Sequence, residues 1–351
     1  MINYINRIIS KIKMKNRKLG KTAKGFVKKT DECFVLVHTG NKPIPKYIND
    51  TIDQIKLFNS CQIILVCSKR NEKWIDKVRK NADVVYIEDI PVSNKHKQYI
   101  KDMVMNGFAL YTTERFFVLE EAIETLGLEK VVHLENDNLV YTNVHKYFKD
   151  LSTNNDNLVL TRHNNSQCIG GIMYIPTAGS LSKYTEYLVR SCSDRYLNDM
   201  DSLSEFAKQY GVDYAPVVTT GYCHLYEFIS AEGIKFDSSY DINAFSGEKS
   251  NRVIFDAAAL GQYIGGIDKI HDKGDTRGFI NQNCLYNPSN FNLVWEIEDG
   301  LFVLFVLDGE EKYRVMNLHI HSKQLSKYRS DNKDLLGNIM QNEYSDLIAD
   351  K

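Results

Sequence analysis

The chain has 351 residues, 43% of them hydrophobic and 25% charged, enough for one α/β core with an appended subdomain and ordinary for a soluble globular protein. A formal net charge of −1 gives no global attraction for nucleic acid, so no such partner is expected. The charge is uneven: residues 1–30 carry ten Lys or Arg and no acidic residue, leaving the remainder acidic.

In chain order, Met1–Leu19 comes first. It spaces Ile2, Ile5, Ile8, Ile9 and Ile12 near a helical period among cations. That pattern suits either an amphipathic helix on an anionic membrane surface or a solvated basic tail. No run reaches the roughly 18 apolar residues that span a bilayer, and no apolar stretch with a small-residue cleavage site marks a secretory signal. The seven cysteines are scattered, odd in number and without a C-x-x-C pair, which argues against a zinc ribbon or redox motif. Reduced, buried thiols imply a cytoplasmic location, with peripheral membrane contact through the N-terminus as an option.

Strand and helix patterns then alternate. Apolar runs at Cys33–His38, Gln62–Cys67, Asp83–Ile87 and Glu129–Leu134 read as strands. Helical spacing covers Tyr47–Phe58, Trp74–Lys80 and Thr113–Leu126, the last closed by Gly127. Such alternation implies βαβ units and a mostly parallel sheet with helices on both faces, whose ligands bind beyond the carboxyl ends of the strands. Further on, 157–160 and 171–175 read as strands, and 180–190, 199–210 and 254–263 as helices. An Asp-Gly turn at Asp299-Gly300 joins two apolar runs into a hairpin, with 313–321 as a third strand beside it.

Three constellations carry chemistry. Glu135-Asn136-Asp137 follows the fourth strand, and two carboxylates two residues apart can hold Mg²⁺ or Mn²⁺ while leaving positions for phosphate oxygens. The competing reading is a polar exit turn. His319 and His321, two apart on a strand, point to one face, where either can complete a metal site; Lys323 can meet a diphosphate oxygen. Two carboxylates suit a general base, Asp199 and Asp256. Both stand at helix starts, where capping competes with catalysis. The glycine-rich loop His271–Gly278 suits a lid, or an ordinary surface loop. Phosphate-loop, dinucleotide, zincin and hydrolase motifs are lacking, and 21 Tyr provide stacking platforms for sugars.

The stretch "VVHLENDNLVY" resembles the D-x-D-type motif of GT-A glycosyltransferases, with Glu in place of the commoner first Asp. The resemblance implies a GT-A fold with a C-terminal hairpin-containing extension. It also implies metal bound by Asp137 with Glu135 assisting, and a nucleoside-diphosphate-sugar donor, UDP-sugar first. The end of the first strand (His38, Thr39), Arg115, Asn136 and the glycines of "CIGGIMYI" (Gly170, Gly171) would then contact the donor. Gly170 and Gly171 allow close backbone approach, or else mark a bulge or turn. Arg115 is otherwise a surface salt-bridge partner. The implied layout is a tail at 1–30, a catalytic domain at 31–325 (31–150 nucleotide-binding, 151–325 acceptor-binding) and a helical tail at 326–351. The expected activity is sugar transfer to a hydroxyl of a glycan or glycoconjugate. The alternatives are a sugar-nucleotide nucleotidyltransferase, or an inactive carbohydrate-binding protein.

Overall fold

The structure is a computed structural model that describes residues 32–40, 42–102, 108–152, 156–191, 197–217, 252–268, 274 and 276–334. The basic segment 1–30, most of the expected C-terminal tail and part of the 271–278 loop lie outside the described residues. Among the described residues, no helix is long and apolar enough to cross a membrane.

The central sheet begins with β1 (Cys33–His38), β2 (Gln62–Cys67) and β3 (Asp83–Tyr86), followed by β4 (Val131–Leu134). β1 and β2 are apolar along almost their whole length and buried on both sides, as strands covered on both faces must be. Downstream lie β5 (Asn138–Val140), β6 (Val159–Asn164), β7 (Gln167–Ile175) and β8 (Asp213–Ala215). The seven-stranded order is β3-β2-β1-β4-β7-β6-β8. β3, β2, β1 and β4 run parallel, β7 is antiparallel to both β4 and β6, and β8 is parallel to β6. The expected mostly parallel sheet is therefore present, with one reversed strand at its centre.

Helices cover both faces. On one, α1 (Ile48–Phe58) buries Ile48, Ile52 and Ile55 at helical spacing, beside α4 (Val144–Leu151). On the other, α3 (Phe108–Leu126) packs with α5 (Ala178–Ser191) and α6 (Asp199–Tyr210) over Val35, Val37 and Val131. α2 (Asn94–Asp102) occupies a stretch that reads as polar connection, because only His96 and Tyr99 of its nine residues are buried. The helix expected at 74–80 is instead two short 3₁₀ turns, Lys69–Trp74 and Val78–Lys80.

The C-terminal part holds β9 (Val253–Ile254), the short α7 (Leu260–Gly265), β10 (Asn292–Glu298), β11 (Leu301–Asp308) and β12 (Glu311–Val315). β10 and β11 form the expected hairpin, turning at Asp299 and Gly300, both with positive φ. The single strand expected over 313–321 is split. β12 stays with β11 and β9, whereas β13 (Asn317–His319) leaves that sheet and pairs antiparallel with β5, so that His319 faces Asn138. This change of partner brings the C-terminal histidines to the end of β4.

Candidate functional site

The acidic turn between β4 and β5 is held before any side chain is considered. Glu135 N–H donates to Gly171 O (2.9 Å), Asn138 N–H to Glu135 O (3.1 Å) and Ile320 N–H to Asp137 O (2.9 Å). Thr51 on α1 donates to Asn136 O at 2.7 Å. The turn is thus fixed by β7, by α1 and by the segment after β13.

One carboxylate oxygen each from Glu135 and Asp137 and one imidazole nitrogen of His319 lie within 4.8 Å of one another. His319 Nε2 is 3.2 Å from Asp137 Oδ2 and 3.4 Å from Glu135 Oε2. Adjacent ligands of an octahedral ion with bonds of about 2.1 Å sit about 3 Å apart, so these separations fit one hard dication. Asp137 and His319 are only 7% and 8% exposed. Two carboxylates and a neutral imidazole make a donor set suited to Mn²⁺ or Mg²⁺. His319 Nδ1 and Asn138 Nδ2 are buried without a hydrogen-bond partner, and both lie over Gly171.

Cations surround these acids. Lys323 Nζ pairs with Asp137, and Arg115 reaches from α3 to bridge Glu135 and, at 3.0 Å, Asp199 at the start of α6. Burial alone would raise the Asp137 pKa, but His319 and Lys323 hold it well below the usual carboxylate range. Glu135 is likewise lowered against its burial by Arg115 and His319. Burial disfavours charge on His319, yet Asp137 and Glu135 push it up to about 9, so its proton carries charge that a bound metal would otherwise supply. The nearby Tyr47 hydroxyl is pushed up by burial and then by Asp137, Asp268 and Glu135. Nothing beside it in the sequence marks it for this site.

The remaining expected residues divide clearly. Arg115, 8% exposed, is no surface salt-bridge partner. Gly170 makes room for it, since a Cβ there would stand 2.7 Å from Arg115 Nη2. Gly170 and Gly171 lie within β7 rather than in a turn, in the stretch between Ile169 and Tyr174 where the register with β6 shifts, so the bulge reading of the pair holds. His321 is not part of the three-residue cluster; its ring centroid is 5.9 Å from that of His319. The Asn136 side chain turns back to Val37 O (3.4 Å). His38 contacts Lys42 O within the β1 exit loop (3.1 Å), and Thr39 donates to Tyr111 O (2.9 Å), tying that loop to α3. Asn198 caps α6 by accepting from Asp201 N–H, which leaves the Asp199 carboxylate for Arg115. Burial raises the Asp199 pKa and Arg115 opposes it.

Asp256 departs from the base expected of it. It is 1% exposed, and both its oxygens are occupied by backbone amides: Ala259 and Leu260 on Oδ1, Gly261 and His319 on Oδ2. No lone pair is left facing a substrate hydroxyl. Gln262 Oε1, on α7, accepts from Asn281 Nδ2 at 3.0 Å.

No protein-family model matches the chain, and no curated protein matches it. Solved structures similar to it include mouse xyloside xylosyltransferase 1, at 11% identity over 60% of this chain and 95% of that one, TM-score 0.42. The glycosyltransferase GlyE of Streptococcus pneumoniae TIGR4 is 14% identical over 59% of this chain and 51% of its own, TM-score 0.37. A putative glucose-1-phosphate thymidylyltransferase from Bacillus anthracis is 12% identical over 60% of this chain and 99% of its own, TM-score 0.34.

Proposed function

We propose that the protein is a metal-dependent glycosyltransferase of the GT-A type. It would move a sugar from a nucleoside-diphosphate donor to a hydroxyl of a glycan or glycoconjugate. The observation that carries this reading is the joining of Glu135, Asp137 and His319 into one buried donor set beyond the carboxyl end of β4. A divalent cation held there would neutralise charge developing on the diphosphate leaving group.

The chain's own residues supply the rest. Lys323, paired with Asp137 and partly exposed, is the cation suited to a phosphate oxygen. Arg115 pairs with both Glu135 and Asp199 and opposes the effect of burial on each. Of the two carboxylates considered for deprotonating an acceptor, Asp199 stands beside the cluster, and it is the one we assign if the reaction inverts.

Calorimetric titration with UDP, GDP and dTDP, with and without Mn²⁺, tests the reading. Cation-dependent binding of one diphosphate is expected, and metal-independent binding or none would overturn it. Asp137→Asn should reduce transfer at least 100-fold with an unchanged circular dichroism spectrum; full activity in that variant would remove the metal assignment.

A further inference from the structure

We propose that Asp256 is a positioning residue that presets His319 for the divalent cation, acting through the His319 backbone and never touching substrate. This rests on the metal-site reading given above, and it gives a role to a buried charge that the transfer chemistry does not use.

Three of the four amides on Asp256 (Ala259, Leu260 and Gly261) belong to the start of α7 and amount to a helix cap. The fourth does not. His319 N–H, 63 residues away on β13, donates to Oδ2 at 2.9 Å. A helix of six residues gains little from a fully buried carboxylate, whose desolvation is costly. A strand pinned to that carboxylate gains a fixed position.

The other side of the same peptide is fixed too. A Cβ on Gly261 would stand 2.1 Å from His319 O and 2.5 Å from His319 C, so α7 presses its backbone directly onto the His319 peptide. The Asp256 N–H donates to Asn317 Oδ1 (3.1 Å), and Asn317 Nδ2 donates to Asn138 Oδ1 (2.8 Å), the residue after Asp137. His163 Nδ1 donates to Ala257 O at 2.7 Å and anchors the loop from β6. Ala258 within it adopts φ +62°, a conformation that alanine keeps only under such constraint. A connected buried network therefore runs from Asp256 to both halves of the donor set. Residues that orient metal ligands commonly change metal affinity 10- to 100-fold when replaced.

The test is a double-mutant cycle on Mn²⁺ affinity, read by electron paramagnetic resonance of free Mn²⁺ at fixed pH. The set is the wild type, Asp256→Asn, His319→Ala and the double variant, each checked for fold by circular dichroism. Asn at 256 turns an amide NH₂ toward backbone N–H donors and breaks part of the network. Weakening of roughly 10-fold is expected in the wild-type background, with no further loss when His319 is already Ala. Unchanged affinity in Asp256→Asn, or an equal loss in both backgrounds, overturns the proposal. A wild type that binds no Mn²⁺ instead defeats the metal-site reading itself. Should Asp256→Asn not fold, Gly261→Ala decides, since its Cβ crowds both the His319 peptide and Asp256 Oδ2 (2.9 Å) and so disturbs the contact between them. Weaker Mn²⁺ binding there supports the proposal and wild-type affinity refutes it.

Discussion

The Arg115 side chain reaches the site only because Gly170 has no side chain. A methyl at Gly170 would sit 2.7 Å from Arg115 Nη2 and 3.1 Å from Phe116 Cζ, whereas at Gly171 the nearest atoms are 3.3 and 3.4 Å away. Gly170→Ala should therefore cost about 1–3 kcal/mol of stability and lower transfer with it. Gly171→Ala should be milder in urea melts; equal losses from the two would contradict the crowding argument. At this scale the sequence showed Asp137 well, because two acids directly after an apolar strand form a local pattern. The same locality misled at Asp256, whose helix-start position is visible in sequence while its bond to His319 is not. Asn138, Asn317 and Gly261 were missed for the same reason. Each matters through a partner distant along the chain, which no local pattern shows, although Asn138 and Asn317 lie within the two motifs themselves.

Among elements, α2 docks through buried charge together with one buried aromatic, Tyr99 against Phe117, rather than by a regular apolar stripe. His96 Nδ1 lies 3.0 Å from Glu121 Oε1 and its Nε2 lies 3.6 Å from Glu114, while Lys95 pairs with the buried Glu120. Burial opposes charge on His96, yet Glu114 and Glu121 push its pKa up to about 9. A pKa raised in the folded state adds stability that is complete below the unfolded value of about 6.5 and disappears as pH rises through 9. Wild-type melting temperature should accordingly fall between pH 6.5 and 9.5 relative to His96→Gln. Parallel pH profiles for the two would refute this. A strand or helix that buries a regular apolar face was legible from spacing, as β1, β2, α1 and α6 were. α2 was not, because it buries only one aromatic residue, Tyr99, and one ion-paired histidine, His96. The split of 313–321 into β12 and β13 left only a small trace: the alternation changes phase at Val315-Met316, where two apolar residues are adjacent, and the third dimension shows that the strand changes partner there.

In the molecule as a whole, the site joins distant parts of one chain. Asp137 and Lys323 are 186 residues apart, and β13 meets β5 across a similar interval. A cation held by both parts binds the folded state and not the unfolded one. Free Mn²⁺ at 100 times its dissociation constant should then add about 2.7 kcal/mol of stability. The corresponding rise in melting temperature should be absent from Asp137→Asn; an equal rise in that variant would place the cation elsewhere.

The β5–β13 pairing also has a consequence in time. On a ribosome, Asp137 emerges 186 residues before Lys323, which at about 5–20 residues per second is roughly 10 to 40 seconds. During that interval the parallel strands β1 to β4 can already associate, while the acidic turn has neither its histidine nor its lysine. Through that interval the nascent chain holds Asp137 without either of its cationic partners, while Glu135 can already pair with Arg115.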